Sequence, residues 1–269
     1  MSNRKQTLIL SGILVLLSIV PLFCYLGSYS LCLWDESRLA ASAYEMTQTG
    51  NPLVVSFNYQ PDHWSVKPPL AIWCQAISIK VFGVNEFAVR FPSSIAVLAT
   101  CVMLILFFGK LQRPFVGFYA SLIMIVSKGI IYFWHTCHSA DYEALLVFFT
   151  TAYCLAFYLF YIFKKKRYLL FFFILLTLAA MTKGVQALFP LPFIVLFVVF
   201  KRGFLSNIFT TRSFYYGLSL FLLVIGGYYF GREVIDSGYL KEVYNGELGG
   251  RYAQTNEGHQ QGFWYYLNY

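Results

Sequence analysis

The chain has 269 residues, of which 58% are hydrophobic, 20% aromatic and only 12% charged, with a net charge of +8. A soluble domain of this length would expose more apolar surface than water tolerates, so the composition points to a polytopic membrane protein. The positive balance does not indicate nucleic acid: the basic residues form short clusters such as Lys164-Lys165-Lys166-Arg167, which flank spans and meet anionic lipid headgroups.

Arg4 and Lys5 precede an apolar run with no small-residue cleavage site before Trp34, which reads as a retained signal anchor. Seven apolar segments are predicted to span: 7–26, 92–109, 114–134, 141–163, 168–182, 185–200 and 213–231. The fifth and sixth are short against the usual requirement of about 20 residues. Merged into one helix they would run to about 50 Å, too long for a hydrocarbon core of about 30 Å. Kept as two helices meeting at Lys183-Gly184, they leave Lys5, Lys110, Arg113, Lys164–Arg167, Lys201-Arg202 and Arg212 on one side. The positive-inside rule makes that side, and the N-terminus, cytoplasmic. The twelve acidic residues then fall on the outer side, in the segment after the first span, at Asp141 and Glu143, and from Glu233 onward. The expected fold is all-α, with about seven transmembrane helices in a core over residues 1–232.

Residues 27–91 form the first outer loop. Leu39, Ala43 and Met46 share one helical face and Arg38, Ser42 and Glu45 another, giving an amphipathic helix ended by Gly50-Asn51-Pro52. A second helix follows Pro68-Pro69, from Leu70 to about Phe82, and both are expected along the membrane interface. Cys32 and Cys74 share this segment, where a disulfide is one option. Residues 233–269 read as an outer loop, ending in the aromatic run Phe263-Trp264-Tyr265-Tyr266 and leading to a further segment.

The residues that could carry chemistry lie on this outer side. Asp35 and Glu36 open the first amphipathic helix: Asp35 is either an N-cap or a carboxylate held at the surface to accept a proton. Arg38, one turn on, could keep it ionised. Lys67, fixed by the two prolines after it, either snorkels or neutralises a lipid phosphate. Asp141 and Lys183 are ionisable groups at the membrane edge, where a charge is costly enough to suggest function, although Asp141 also suits an N-cap. His135, His138 and Asp141 recur at i, i+3 and i+6, a spacing a divalent metal could use, but a turn interrupts it, so a metal is an option and no cofactor is fixed. Arg251 and His259 complete the candidates.

The order Asp35-Glu36-x-Arg38, Glu45-Met46, Gly50, Lys67-Pro68-Pro69-Leu70, Trp73, Phe82-Gly83, Glu86 and Arg90-Phe91-Pro92-Ser93 resembles one family. These are the bacterial membrane glycosyltransferases related to protein O-mannosyltransferases and lipid A aminoarabinose transferase, within the C-type glycosyltransferase superfamily. Asp141, Thr182-Lys183-Gly184 and the stretch from His259 to Tyr266 match later landmarks in order. The resemblance implies a bacterial inner-membrane enzyme that moves a sugar from a polyprenyl-phosphate donor to a protein, lipid A or glycan acceptor at the outer face. It implies catalysis by Asp35 and substrate contacts from Lys67, Asp141 and His259; read from the residues themselves, Glu36 joins Asp35 as a catalytic carboxylate, and Arg38, Lys183 and Arg251 join the substrate-binding set. One branch holds a metal with a carboxylate before the lysine, where this chain has Val66. The alternatives are a transporter or flippase of lipid-linked sugars, or an inactive truncated remnant.

Overall fold

The computed structural model describes residues 2–131, 138–201 and 203–249, and most of them are helical. Among the described residues, five helices are long and apolar enough to cross a membrane. They are α1 (Asn3–Phe23), α4 (Glu86–Lys110), α7 (Glu143–Phe163), α8 (Lys166–Lys183, extended by a 3-10 turn through Leu188) and α11 (Arg212–Ile235). Two of the seven expected spans are shorter than spanning length within the described residues. Helix α5 (Pro114–Val126) stops where Ser127 turns extended, and the turn α6 (Lys128–Ile131) follows up to the last described residue of this stretch. In the other, the 3-10 turn Gly184–Leu188 precedes α9 (Leu191–Phe200), whose ten residues rise about 15 Å, half of a hydrocarbon core.

The break expected at Lys183-Gly184 is present, and its cause is backbone: Gly184 has φ +57° and ψ −128°, a conformation that side chains disfavour. A short helix α10 (Phe204–Phe209) then leads into α11. Helix α4 is the centre of the bundle, and small residues let α5 approach it closely. A Cβ on Gly117 would lie 2.6 Å from the Leu104 carbonyl, and Ser121 Oγ donates to the Cys101 carbonyl at 2.8 Å. A second, aromatic core of Tyr153, Phe157, Phe160, Phe172 and Phe173 joins α7 to α8.

The segment between α1 and α4 folds as two helices and a miniature hairpin. Helix α2 (Asp35–Thr49) ends at Gly50, and α3 (Leu70–Phe82) follows the prolines, both within a residue of expectation. Between them β1 (Ser56–Phe57) pairs antiparallel with β2 (Gln60–Pro61) across Asn58 and Tyr59, whose φ values of 54° and 58° suit a tight hairpin turn. Glu45 fastens the hairpin to α2, accepting from Ser56 Oγ at 2.7 Å and Tyr59 N at 3.0 Å. Helix α3 buries Ala71, Ile72 and Ile79 against the bundle and leaves Ile77 and Val81 outside. Cys32 and Cys74 are both free thiols, so the disulfide option is not taken.

Candidate active site

Glu36 is buried, and both its oxygens are occupied. Arg90 binds it twice, Nε to Oε1 at 2.7 Å and Nη2 to Oε2 at 3.0 Å, while the Cys32 and Ala140 amides donate to the same carboxylate. Arg90 is itself fully buried and donates to the carbonyls of Leu26, Tyr29 and Ser30. Every strong hydrogen-bonding direction of the pair is used, which is how a buried charge pair becomes tolerable. This closes Glu36 to proton transfer and makes it a joint between the first outer loop and the segment before α7.

Asp35 is the opposite case. It is exposed at the first position of α2, and makes no hydrogen bond or ion pair with another described residue. The N-cap position belongs to Trp34, which is 76% exposed and has φ +73°, an unfavourable conformation for a bulky residue. Arg38 does not serve Asp35. It forms a two-pronged pair with Asp62, at 3.1 and 2.7 Å, and lies over the rings of Phe57 and Trp64. Asp62 also accepts from the amides of Trp64 and Ser65. The helical neighbour in sequence lost to a bidentate partner from the hairpin.

Lys67 and Lys183 meet at one aromatic ring. The Lys67 ammonium is 4.7 Å from the centre of Tyr142, and that of Lys183 is 6.0 Å from it. Burial pushes the Tyr142 phenol well above its usual range, the charges of Asp141 and Asp62 push the same way, and a hydrogen bond from Ser65 only partly offsets them. The ring therefore stays neutral and offers its π face. Lys183 sits at the carboxyl end of α8, where the helix dipole favours a cation, and pairs with Glu143. Asp141 is buried beside this group and accepts from the Tyr142 amide at 2.7 Å. Gly184 lies against Pro68 and the Tyr229 hydroxyl, so the α8 break abuts the Lys67 turn.

The carboxyl end of α11 closes the back of the site. Tyr239, on α12 (Tyr239–Val243), donates to the Val66 carbonyl at 2.9 Å. The fully buried Arg232 pairs with Asp236 at 2.6 Å, and Asp236 meets His63 Nε2 at 2.9 Å. Val66 packs with Met181, Tyr228 and Tyr239, so an apolar contact fills the position that a metal-binding carboxylate would need. His138 turns to the Pro21 carbonyl at 2.9 Å, and no cluster of metal-ligating residues occurs among the described residues. His135, Arg202, Arg251, His259 and Phe263–Tyr266 lie outside the described residues. Sequence reasoning missed Tyr142, which sits between the noticed carboxylates of Asp141 and Glu143, and gave Glu143 and Arg90 no role because their partners are remote in sequence.

The family model for dolichyl-phosphate-mannose-protein mannosyltransferase matches residues 66–228, from the residue before Lys67 to the outer part of α11. An undecaprenyl phosphate-alpha-4-amino-4-deoxy-L-arabinose arabinosyl transferase of Aeromonas hydrophila is 30% identical over 87% of this chain and 43% of its own length. The corresponding transferase 2 of Pseudomonas fluorescens is 33% identical over 46% of this chain and 22% of its own. The crystal structure of ArnT from Cupriavidus metallidurans bound to undecaprenyl phosphate superposes with a TM-score of 0.75 at 14% identity, over 96% of this chain and 47% of that one. At that identity the likeness establishes the fold. The chain spans less than half the length of these three proteins. Since the family model covers more than half of it, the chain belongs to the dolichyl-phosphate-mannose-protein mannosyltransferase family.

Proposed function

We propose that the chain carries the donor-binding part of a glycosyltransferase, which moves a sugar from a polyprenyl-phosphate carrier to an acceptor at the outer face of the bacterial inner membrane. The observation that carries this reading is the convergence of the Lys67 and Lys183 ammonium groups on Tyr142, at the membrane edge. Family membership and the undecaprenyl-phosphate-linked sugar in the relatives' names support the same donor class.

In the reaction, an acceptor hydroxyl or amine attacks the anomeric carbon. The bond from that carbon to the phosphate oxygen breaks, and its electron pair stays on the phosphate. Lys67 and Lys183 stabilise this growing negative charge, and the leaving phosphate needs no proton donor. Asp35 takes the proton released by the nucleophile, an aid worth about 10² to 10⁴-fold. Its exposure and freedom from structural partners suit that task better than the sealed carboxylate of Glu36. Asp141 orients the Tyr142 backbone beneath the two cations. Arg251 and His259 remain candidates for donor contact by family position, and the acceptor is a protein or a glycolipid.

The test uses the full-length protein in proteoliposomes, with undecaprenyl-phosphate aminoarabinose and a polyprenyl-phosphate mannose as alternative donors. Transfer should fall at least about a hundredfold in Asp35→Asn, and donor KM should rise in Lys67→Ala. Wild-type turnover in Asp35→Asn would remove Asp35 from the chemistry. Donor translocation across the bilayer without transfer would replace the enzyme by a flippase.

A further inference from the structure

A cavity of about 440 Å³ lies between α4, α7 and α8, at the end of the bundle away from Lys67 and Lys183. Its size is that of a ligand pocket, about 300–1,000 Å³. Ala152 and Ala156 of α7 leave the space open, and Leu106 and Phe171 form an exposed apolar rim. The polar groups on its wall are at one end: Lys110, the last residue of α4, and Tyr168, in the first turn of α8.

Lys110 Nζ donates to Tyr168 Oη at 3.3 Å and lies 5.1 Å from the centre of its ring, and the Arg167 guanidinium also lies 5.1 Å from that centre. Neither cation has a carboxylate partner among the described residues, whose ion pairs lie within residues 27–91, between Lys183 and Glu143 at the other end of these helices, or around Asp236 at the end of α11. Two like charges thus share one tyrosine, at one end of an apolar slot with an exposed apolar rim.

We propose that this groove seats one acyl chain of an anionic phospholipid, its phosphate held between Lys110 and Arg167. The apolar wall takes the hydrocarbon, the cations supply the anion selectivity, and Tyr168 offers a hydroxyl to a phosphate oxygen. The sugar donor is a poor occupant. A phosphate bound at Lys183 is separated from Lys110 and Arg167 by the length of α8, about 27 Å at 1.5 Å per residue.

The experiment is native mass spectrometry of the detergent-purified chain, with dioleoyl phosphatidylglycerol and dioleoyl phosphatidylcholine as probes. Phosphatidylglycerol should remain bound at roughly tenfold lower concentration than phosphatidylcholine, since each basic contact strengthens binding severalfold. The double variant Lys110→Gln/Arg167→Gln should abolish that preference, and Ala152→Leu, which fills the slot, should weaken both lipids. Equal retention of the two lipids by the wild type, or a preference surviving in the glutamine variant, overturns the proposal. So does displacement of phosphatidylglycerol by equimolar undecaprenyl phosphate, which would give the groove to the donor's tail. Lys110 and Arg167 are exposed and tolerate substitution, so the glutamine variant decides the case even if Ala152→Leu is not monodisperse.

Discussion

Replacing Arg90 by methionine tests whether the buried joint with Glu36 holds the outer loop to the bundle. The change keeps much of the apolar stem and removes five hydrogen bonds, two to Glu36 and three to the carbonyls of Leu26, Tyr29 and Ser30. It also leaves the Glu36 carboxylate, 3% exposed, without a counter-charge. Removing one partner of a buried pair costs about 3–5 kcal/mol, most of it the desolvated orphan. At about 2–4 °C per kcal/mol for a chain of this size, Tm should fall by about 10 °C. The double variant Arg90→Met/Glu36→Met has no orphan charge, so it should be more stable than Arg90→Met alone. The assay is thermal unfolding of the detergent-purified chain followed by tryptophan fluorescence, with monodispersity checked before each scan. A loss below about 2 °C in Arg90→Met, or a double variant that loses the sum of the two single losses, would refute the reasoning.

Tyr142→Phe keeps the ring between the two lysines and loses only the Ser65 contact, so transfer should stay within about threefold of wild type, whereas Tyr142→Leu should cost about tenfold by removing both cation–π contacts; donor titrations in proteoliposomes check this. His138 is held below the ordinary histidine pKa of 6.5, first by burial and further by the Arg90 charge, against a raising hydrogen bond to Pro21. The folded state therefore resists protonation, so this contribution is complete above about pH 6.5 and is lost as pH falls through the lower folded value; a Tm-against-pH series should lose that slope in His138→Gln. Gly117→Val should lower stability by about 1–3 kcal/mol, because α5 cannot move away from the Leu104 carbonyl without opening the α4 contact, and an unchanged Tm would show that the helices yield.

The elements themselves were legible because their causes are local. Uninterrupted apolar runs give α1, α4, α7 and α11, Gly50 ends α2, and Gly184 breaks the chain after Lys183. The end of α5 and the start of α9 were less so, because apolar residues also occupy positions where the backbone is extended or in a 3-10 turn. At the proposed site, Lys67, Asp141 and Lys183 were singled out by residue type and depth, and the fold brings the two ammonium groups to the Tyr142 ring and the Asp141 carboxylate to the Tyr142 amide. Partner choice was not legible. Arg38 is one turn from Asp35, yet its planar donors match the carboxylate of Asp62, which only the hairpin turn brings within reach. Glu36 looked as reactive as Asp35 until Arg90, 54 residues away, proved to occupy it.

Tyr239 on the Val66 carbonyl and Asp236 beside His63 join the last described helices to the residues just before Lys67. Because a ribosome releases the chain from its N-terminus, Lys67 emerges long before the groups that brace its turn. The two-lysine cradle thus reaches its final shape late in biogenesis, after α11 has been threaded into the membrane.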